Sequence, residues 1–132
     1  MLVVDDDIRN VFALTSALEL QGVRVRYADN GADGIREVEQ HPEIDLVLMD
    51  VMMPDMDGNE TTAAIRSMPD REAIPVLFLT ARASAGDREK SFAAGATDYF
   101  TKPVDLDQLL DAISRWLPKQ PAGEVAGPEG GA

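Results

Sequence analysis

A short apolar run that stops on a carboxylate constrains this chain more than any other feature. In the stretch I-D-L-V-L-M-D-V-M-M-P-D-M-D-G, from Ile44 to Gly58, the residues Leu46 to Met49 lie between Asp45 and Asp50. Such a run is short and rich in strand formers, so it reads as a strand buried on both faces. Pro54 and the Asp57-Gly58 pair then force the chain into a loop, and a helical pattern resumes from about Asn59. The sequence therefore predicts an acidic side chain, Asp50, at the carboxyl end of a central strand, where open parallel sheets place their ligand crevice.

On either side of that run, strand and helix patterns alternate. Leu2 to Val4 reads as a strand leading into Asp5, Asp6 and Asp7. Asp7 is the expected cap of a first helix, with Val11, Leu14 and Leu18 inward and Gly22 as its stop. Val23, Val25 and Tyr27 alternate with Arg24 and Arg26, the period of a half-exposed edge strand. Asn30 caps a second helix in which Ala32, Ile35 and Val38 are expected to face inward; Gly34 weakens the pattern and Pro42 closes it. After the central strand a third helix is expected from about Asn59 to Met68, with Ile65 inward. Pro75 to Leu79 is the fourth strand, ending at Thr80. A fourth helix falls between Ala85 and Ala94 with Gly95 as its stop, and Asp98 to Phe100 is a short fifth strand before Lys102-Pro103. Asp105 caps the last helix, whose Leu106, Leu109, Leu110, Ile113 and Leu117 follow helical spacing.

This alternation predicts an α/β domain over residues 1–117, a doubly wound five-stranded parallel sheet of the flavodoxin-like order 2-1-3-4-5 with five helices. Residues 118–132, rich in Pro, Gly and Ala, read as a disordered tail. In that order the switch point lies between strands one and three, where Asp5, Asp6 and Asp50 would meet. Thr80 and Lys102 end strands four and five on the same side.

Two or three carboxylates in one cleft repel one another unless a cation sits among them, and an all-oxygen site with room for water suits Mg²⁺. Aspartate can accept a phosphoryl group covalently, and the transfer then needs mainly positioning and charge neutralisation. A metal, the Lys102 ammonium and the Thr80 hydroxyl would supply these to Asp50. No G-x-x-x-x-G-K-[ST] loop is present, so a nucleotide held by this chain is not the expected donor. The 24 acidic against 12 basic residues give a formal charge of −12, which opposes binding to nucleic acid. With no cysteine there is neither a disulfide framework nor a thiolate site. No apolar run reaches the roughly 18 residues of a membrane span and no basic leader precedes the first strand, so cytoplasm is the expected compartment.

These residues, V-V-D-D-D at 3–7, D-V-M-M-P-D-M-D-G at 50–58, L-T-A at 79–81, A-G-A-T-D-Y-F at 94–100 and K-P at 102–103, resemble the receiver domain of two-component response regulators. D-D-D-I-R-N-V-F-A-L looks most like receivers fused to the C-terminus of hybrid histidine kinases. The first strand begins closer to the start than is usual in the family, as in an excised domain. The resemblance implies that Asp50 is the phosphoacceptor, that Asp6 binds Mg²⁺ directly, and that Asp5 does so mainly through water. It further implies that the backbone carbonyl of Met52 is a metal ligand, that Thr80 and Lys102 contact the phosphoryl group, and that Tyr99 changes position with Thr80. The implied donor is a phosphohistidine on a histidine kinase or phosphotransfer domain. The implied partner and dimer face is formed by the fourth helix, fifth strand and fifth helix. The domain would be regulatory, with only intrinsic self-phosphorylation and autodephosphorylation chemistry.

Plainer readings hold elsewhere. Met49, Met52, Met53 and Met56 are expected to fill core and loop rather than form a thioether site, Met52 mattering through its carbonyl. His41, before Pro42, reads as a solvated loop residue rather than a phosphoacceptor. An aspartate-nucleophile phosphatase is the enzyme alternative, but it needs a second acid two residues on, and that position is Met52. A receiver-like interaction module that takes no phosphate is the third reading, disfavoured by the intact Asp5, Asp6, Asp50, Thr80 and Lys102 set.

Overall fold

Buried parallel strands demand cover on both faces, and the chain supplies it from helices on either side of one sheet. The structure, a computed structural model, describes residues 1–81 and 84–117. In chain order the elements are β1 (Leu2–Val4), α1 (Ile8–Leu20), β2 (Arg26–Ala28), α2 (Gly31–Gln40) and β3 (Val47–Asp50). They continue with α3 (Gly58–Arg66), β4 (Val76–Thr80), α4 (Ala85–Ala94), β5 (Asp98–Thr101) and α5 (Leu106–Trp116). All strand pairs are parallel and the order is β2-β1-β3-β4-β5. The expected tail at 118–132 lies outside the described residues.

Two apolar clusters sandwich the sheet. One gathers Val4, Met49, Ile65 and Phe78 with Val38, beneath α2 and α3. The other gathers Val3, Leu48 and Leu79 with Val11, Leu18, Leu109 and Ile113, beneath α1 and α5. Strands buried on both faces have no polar side to alternate with, which is why β3 and β4 read as unbroken apolar runs.

Caps fix the helix starts. Asp7, Asn30, Ser84 and Asp105 each accept a backbone N–H from the first turn of their helix. Asp57 does so too, within a capping box with Glu60, so α3 begins at Gly58, one residue before the expected start, and ends at Arg66. Gly95 ends α4 at φ +117, a backbone conformation open to glycine.

Four expectations about facing need correction. Ala32 is exposed, and α2 instead buries Gly31, Gly34 and Val38. A Cβ on Gly34 would lie 3.0 Å from Val4 Cγ2, so the glycine read as a weakness is where α2 meets β1. Tyr27 is 55% exposed, since β2 is a three-residue edge strand; Val23 and Val25 pack against the sheet before that strand begins. Leu106, at the first turn of α5, is 41% exposed, whereas Leu109 and Ile113 are buried. His41 is less solvated than expected: as the C-cap of α2 it is half-buried, 3.4 Å from Glu43 and 3.8 Å from Glu37. Lying before β3, it is at the end of the sheet opposite to Asp50. Of the methionines, Met49 and Met53 are core while Met52 is exposed.

The contrast on α5 is testable in denaturant. Leu109→Ala should cost about 2–5 kcal/mol of unfolding free energy, as buried truncations do. Leu106→Ala, of identical chemistry, should cost less than about 1 kcal/mol.

Candidate functional site

The crevice follows from register. Val4 pairs with Met49, so the next residues, Asp5 and Asp50, emerge side by side at the carboxyl edge of β1 and β3. The chain leaves β1 toward β2 on one side and β3 toward β4 on the other, which opens the sheet between them. Asp5 is 1% and Asp50 is 3% exposed, while Asp6 faces solvent. One carboxylate oxygen from each of the three lies within 4.8 Å of the others.

One cation enters this cluster from the protein itself. The Lys102 backbone N–H donates to the Thr80 carbonyl at 2.7 Å, fastening the chain after β5 to the end of β4. From there its ammonium reaches Asp5 Oδ2 and Asp50 Oδ1, each at 3.3 Å. Two backbone donors also hold the carboxylates. Asp5 Oδ1 accepts the Asp7 N–H at 2.8 Å, and Asp50 Oδ1 accepts the Met52 N–H at 3.2 Å. Asn10 Nδ2 stands 3.5 Å from Asp5 Oδ2, a neighbour that sequence reasoning did not single out.

Burial, reinforced by the charge on Asp5, pushes the Asp50 carboxyl up to about 6, with Lys102 and the Met52 N–H pulling the other way. Burial also works against the Lys102 ammonium, but the fields of Asp50 and Asp5 outweigh it and raise its pKa above that of an ordinary lysine. Asp7, outside the cluster, is held below the usual carboxylate range by the Arg9 guanidinium hydrogen bond and by the Arg9 N–H that it caps.

The loop after Asp50 depends on a residue expected only as a turn former. A Cβ on Gly58 would lie 2.6 Å from the Asp50 carbonyl oxygen and 2.8 Å from Val51 Cα. Only glycine lets the start of α3 close against the end of β3 there, and the Gly58 N–H donates to the Val51 carbonyl at 3.0 Å. A glycine eight residues beyond the strand-ending aspartate, directly after a capping aspartate, is the signal that could have revealed this contact.

Thr80 and Tyr99 share one face of the sheet. Thr80 is buried at the end of β4, two residues beyond Phe78, and Phe78 pairs with Tyr99 in register. Alternation along a strand therefore puts Thr80, Phe78 and Tyr99 on the same side. Tyr99 packs half-buried against the cluster beneath α2 and α3.

A doubly wound parallel domain with a crevice of three aspartates and one lysine is thus defined by fold and site. The response regulator receiver domain model matches residues 1–114, and the chain belongs to that family. It is 38% identical over 117 residues to protein PilH of Pseudomonas aeruginosa, covering 89% of this chain and 96% of that protein. It is 36% identical over 118 residues to signal transduction histidine-protein kinase BarA of Escherichia coli K12, covering 89% of this chain but only 13% of the kinase. The receiver domain of sensor histidine kinase PA1611 from Pseudomonas aeruginosa PAO1, with a magnesium ion coordinated in its active site cleft, superposes with a TM-score of 0.80 at 34% identity, covering 87% of this chain and 93% of that one. As a receiver the domain is regulatory, and its aspartate cluster is able to bind a metal ion. Among the described residues no helix is long and apolar enough to cross a membrane.

The raised Asp50 pKa makes a signed prediction. Between the unfolded value near 4 and the folded value of about 6, the folded state binds more protons, so this group's contribution to stability falls as pH rises through that window. In chelator at pH 7, Asp50→Asn should therefore exceed the wild type in unfolding free energy by on the order of 2 kcal/mol, and the difference should vanish below about pH 4.

Proposed function

We propose that this domain is a phosphorylation-driven switch in which Asp50 accepts a phosphoryl group from a phosphohistidine. The observation that carries this reading is the pairing of Asp50 with Lys102 at 3.3 Å beside two further carboxylates, at the edge of a crevice. In the step, a carboxylate oxygen of Asp50 forms a bond to phosphorus while the phosphorus–nitrogen bond of the donor breaks; the imidazole nitrogen leaves with the electron pair. Lys102 faces the phosphoryl oxygens as a point charge, and the Thr80 hydroxyl donates to one of them.

The donor set fits Mg²⁺. Asp5, Asp6, Asp50 and the Met52 backbone carbonyl offer hard oxygens only, and two buried carboxylates held by a single ammonium leave net negative charge to neutralise. When bound, Mg²⁺ supplies the charge neutralisation that lets a phosphoryl dianion approach three carboxylates. Phosphatase chemistry is disfavoured because Met52 has no proton to give a leaving group.

The kinase likeness supports a histidine kinase or phosphotransfer domain as partner, in the cytoplasm; the family resemblance makes α4, β5 and α5 the output face and the face of a possible homodimer. Charge argues the same way about nucleic acid, since −12 repels a phosphate backbone. Transfer adds roughly one to two negative charges at Asp50 and draws the Thr80 hydroxyl toward them. Thr80 and Tyr99 lie on one sheet face, so the movement of one makes space for the other. Two arrangements a few kcal/mol apart suffice for such a contact to shift their populations.

Incubation with acetyl phosphate and Mg²⁺ should give one labile phosphoryl adduct by intact mass, absent in Asp50→Asn and absent in chelator. A stable adduct on serine or threonine, or an adduct in Asp50→Asn, would overturn the assignment. With a beryllofluoride mimic, NMR shifts should extend from Thr80 to α4 and Tyr99, and Thr80→Ala should shrink them; shifts confined to the crevice would leave a carrier without a switch.

A further inference from the structure

Arg88 lies over two aromatic rings at once. Its guanidinium carbon is 5.3 Å from the centroid of Phe92 and 5.7 Å from that of Tyr99, both within the roughly 6 Å reach of cation–π attraction. Arg88 and Phe92 are four residues apart on α4 and so stand one above the other on the same helix face. Tyr99 comes from β5, and its ring centroid is 6.3 Å from that of Phe92 with the planes tilted by 34°. The side chain of Arg88 is exposed, and among the described residues no carboxylate lies within salt-bridge distance of it. The rings are therefore its direct partners in the fold.

This cluster joins α4 to the strand that carries Tyr99, in an arrangement where Lys102 still bridges Asp5 and Asp50. That bridge is the geometry of an unmodified acceptor. A Tyr99 ring that turns away from α4 leaves Arg88 behind and loses the contact. We propose that Arg88 is a positioning residue: by stacking on Phe92 and Tyr99 it holds the tyrosine against α4 in the unphosphorylated domain and so sets how readily the domain adopts the arrangement favoured by a phosphoryl group. The inference rests on the reading of Asp50 as acceptor and Tyr99 as the moving ring, and adds the residue that biases the resting state.

Linkage gives the size and direction. An exposed cation–π contact shifts a two-state population by about two- to fivefold. Coupling is reciprocal, so losing the contact should tighten binding of a phosphoryl mimic by no more than the same factor.

The test is a calorimetric titration of the whole chain with beryllofluoride in excess Mg²⁺. Wild type, Arg88→Gln, Arg88→Lys, Tyr99→Leu and the Arg88→Gln/Tyr99→Leu double variant are compared. Arg88→Gln should bind about two- to fivefold more tightly than wild type, Arg88→Lys should fall back toward wild type, and the Arg88→Gln effect should disappear in the Tyr99→Leu background. Equal affinity of Arg88→Gln and wild type, or an undiminished effect in that background, overturns the proposal while leaving Asp50 as the acceptor. Binding that survives Asp50→Asn removes the acceptor reading and this inference with it.

Discussion

Two carboxylates brought side by side out of water, with one ammonium between them, are the constraint on which this molecule turns. Asp5 and Asp50 are nearly inaccessible, and Lys102 contacts both at 3.3 Å. Burying like charges costs free energy, and a single cation balances only part of it, which is why the Asp50 carboxyl is pushed up to about 6. The fold tolerates this because the cost is local while the stabilisation is spread over two apolar clusters covering both faces of the sheet. What is left at the crevice is an excess of negative charge that a hard cation can relieve.

That arrangement is held by backbone rather than by side-chain packing alone. Asp5 accepts from the Asp7 N–H, Asp50 from the Met52 N–H, and the Lys102 N–H is tied to the Thr80 carbonyl. Each contact fixes a functional group to a strand end, so the site inherits the rigidity of the sheet. Gly58 completes the enclosure by permitting an approach that any side chain would block. At the far end of the sheet a second cation does purely structural work. The Arg66 guanidinium donates to the carbonyls of Gly95 and Ile74, binding the end of α3 to the end of α4 and the entry to β4, and burial lowers its pKa. α4 is therefore anchored at its carboxyl end, and its amino-terminal half, with Arg88, lies toward the crevice end of the sheet.

The face that joins crevice to surface is built from alternation. Thr80, Phe78 and Tyr99 fall on one side of the sheet because side chains repeat every second residue and the two strands pair in parallel register. The same face reaches α4 where Tyr99 meets Phe92 and Arg88.

The sequence by itself determined the order of elements, the class of sheet, and the identity of the crevice residues. Asp5, Asp6, Asp50, Thr80 and Lys102 were legible because strand-ending polar residues in an alternating chain must gather at one edge, whatever the details of packing. Helix caps were legible for a similar reason, since a cap is a local contact. Facing was less so: Ala32 and Leu106 carry apolar side chains at helical spacing yet are exposed, because periodicity assigns a residue to a face of its helix and does not say how much of that face a neighbouring element covers. The contact glycines Gly34 and Gly58 read in sequence only as a local weakness and a turn, because a close approach is defined by the second element that lies within about a methyl group of the backbone. The Asp50 pKa, the double grip of Lys102 and the stacking of Arg88 across two elements belong to the tertiary structure alone. Each depends on distances between residues far apart in the chain, and no periodicity encodes a distance.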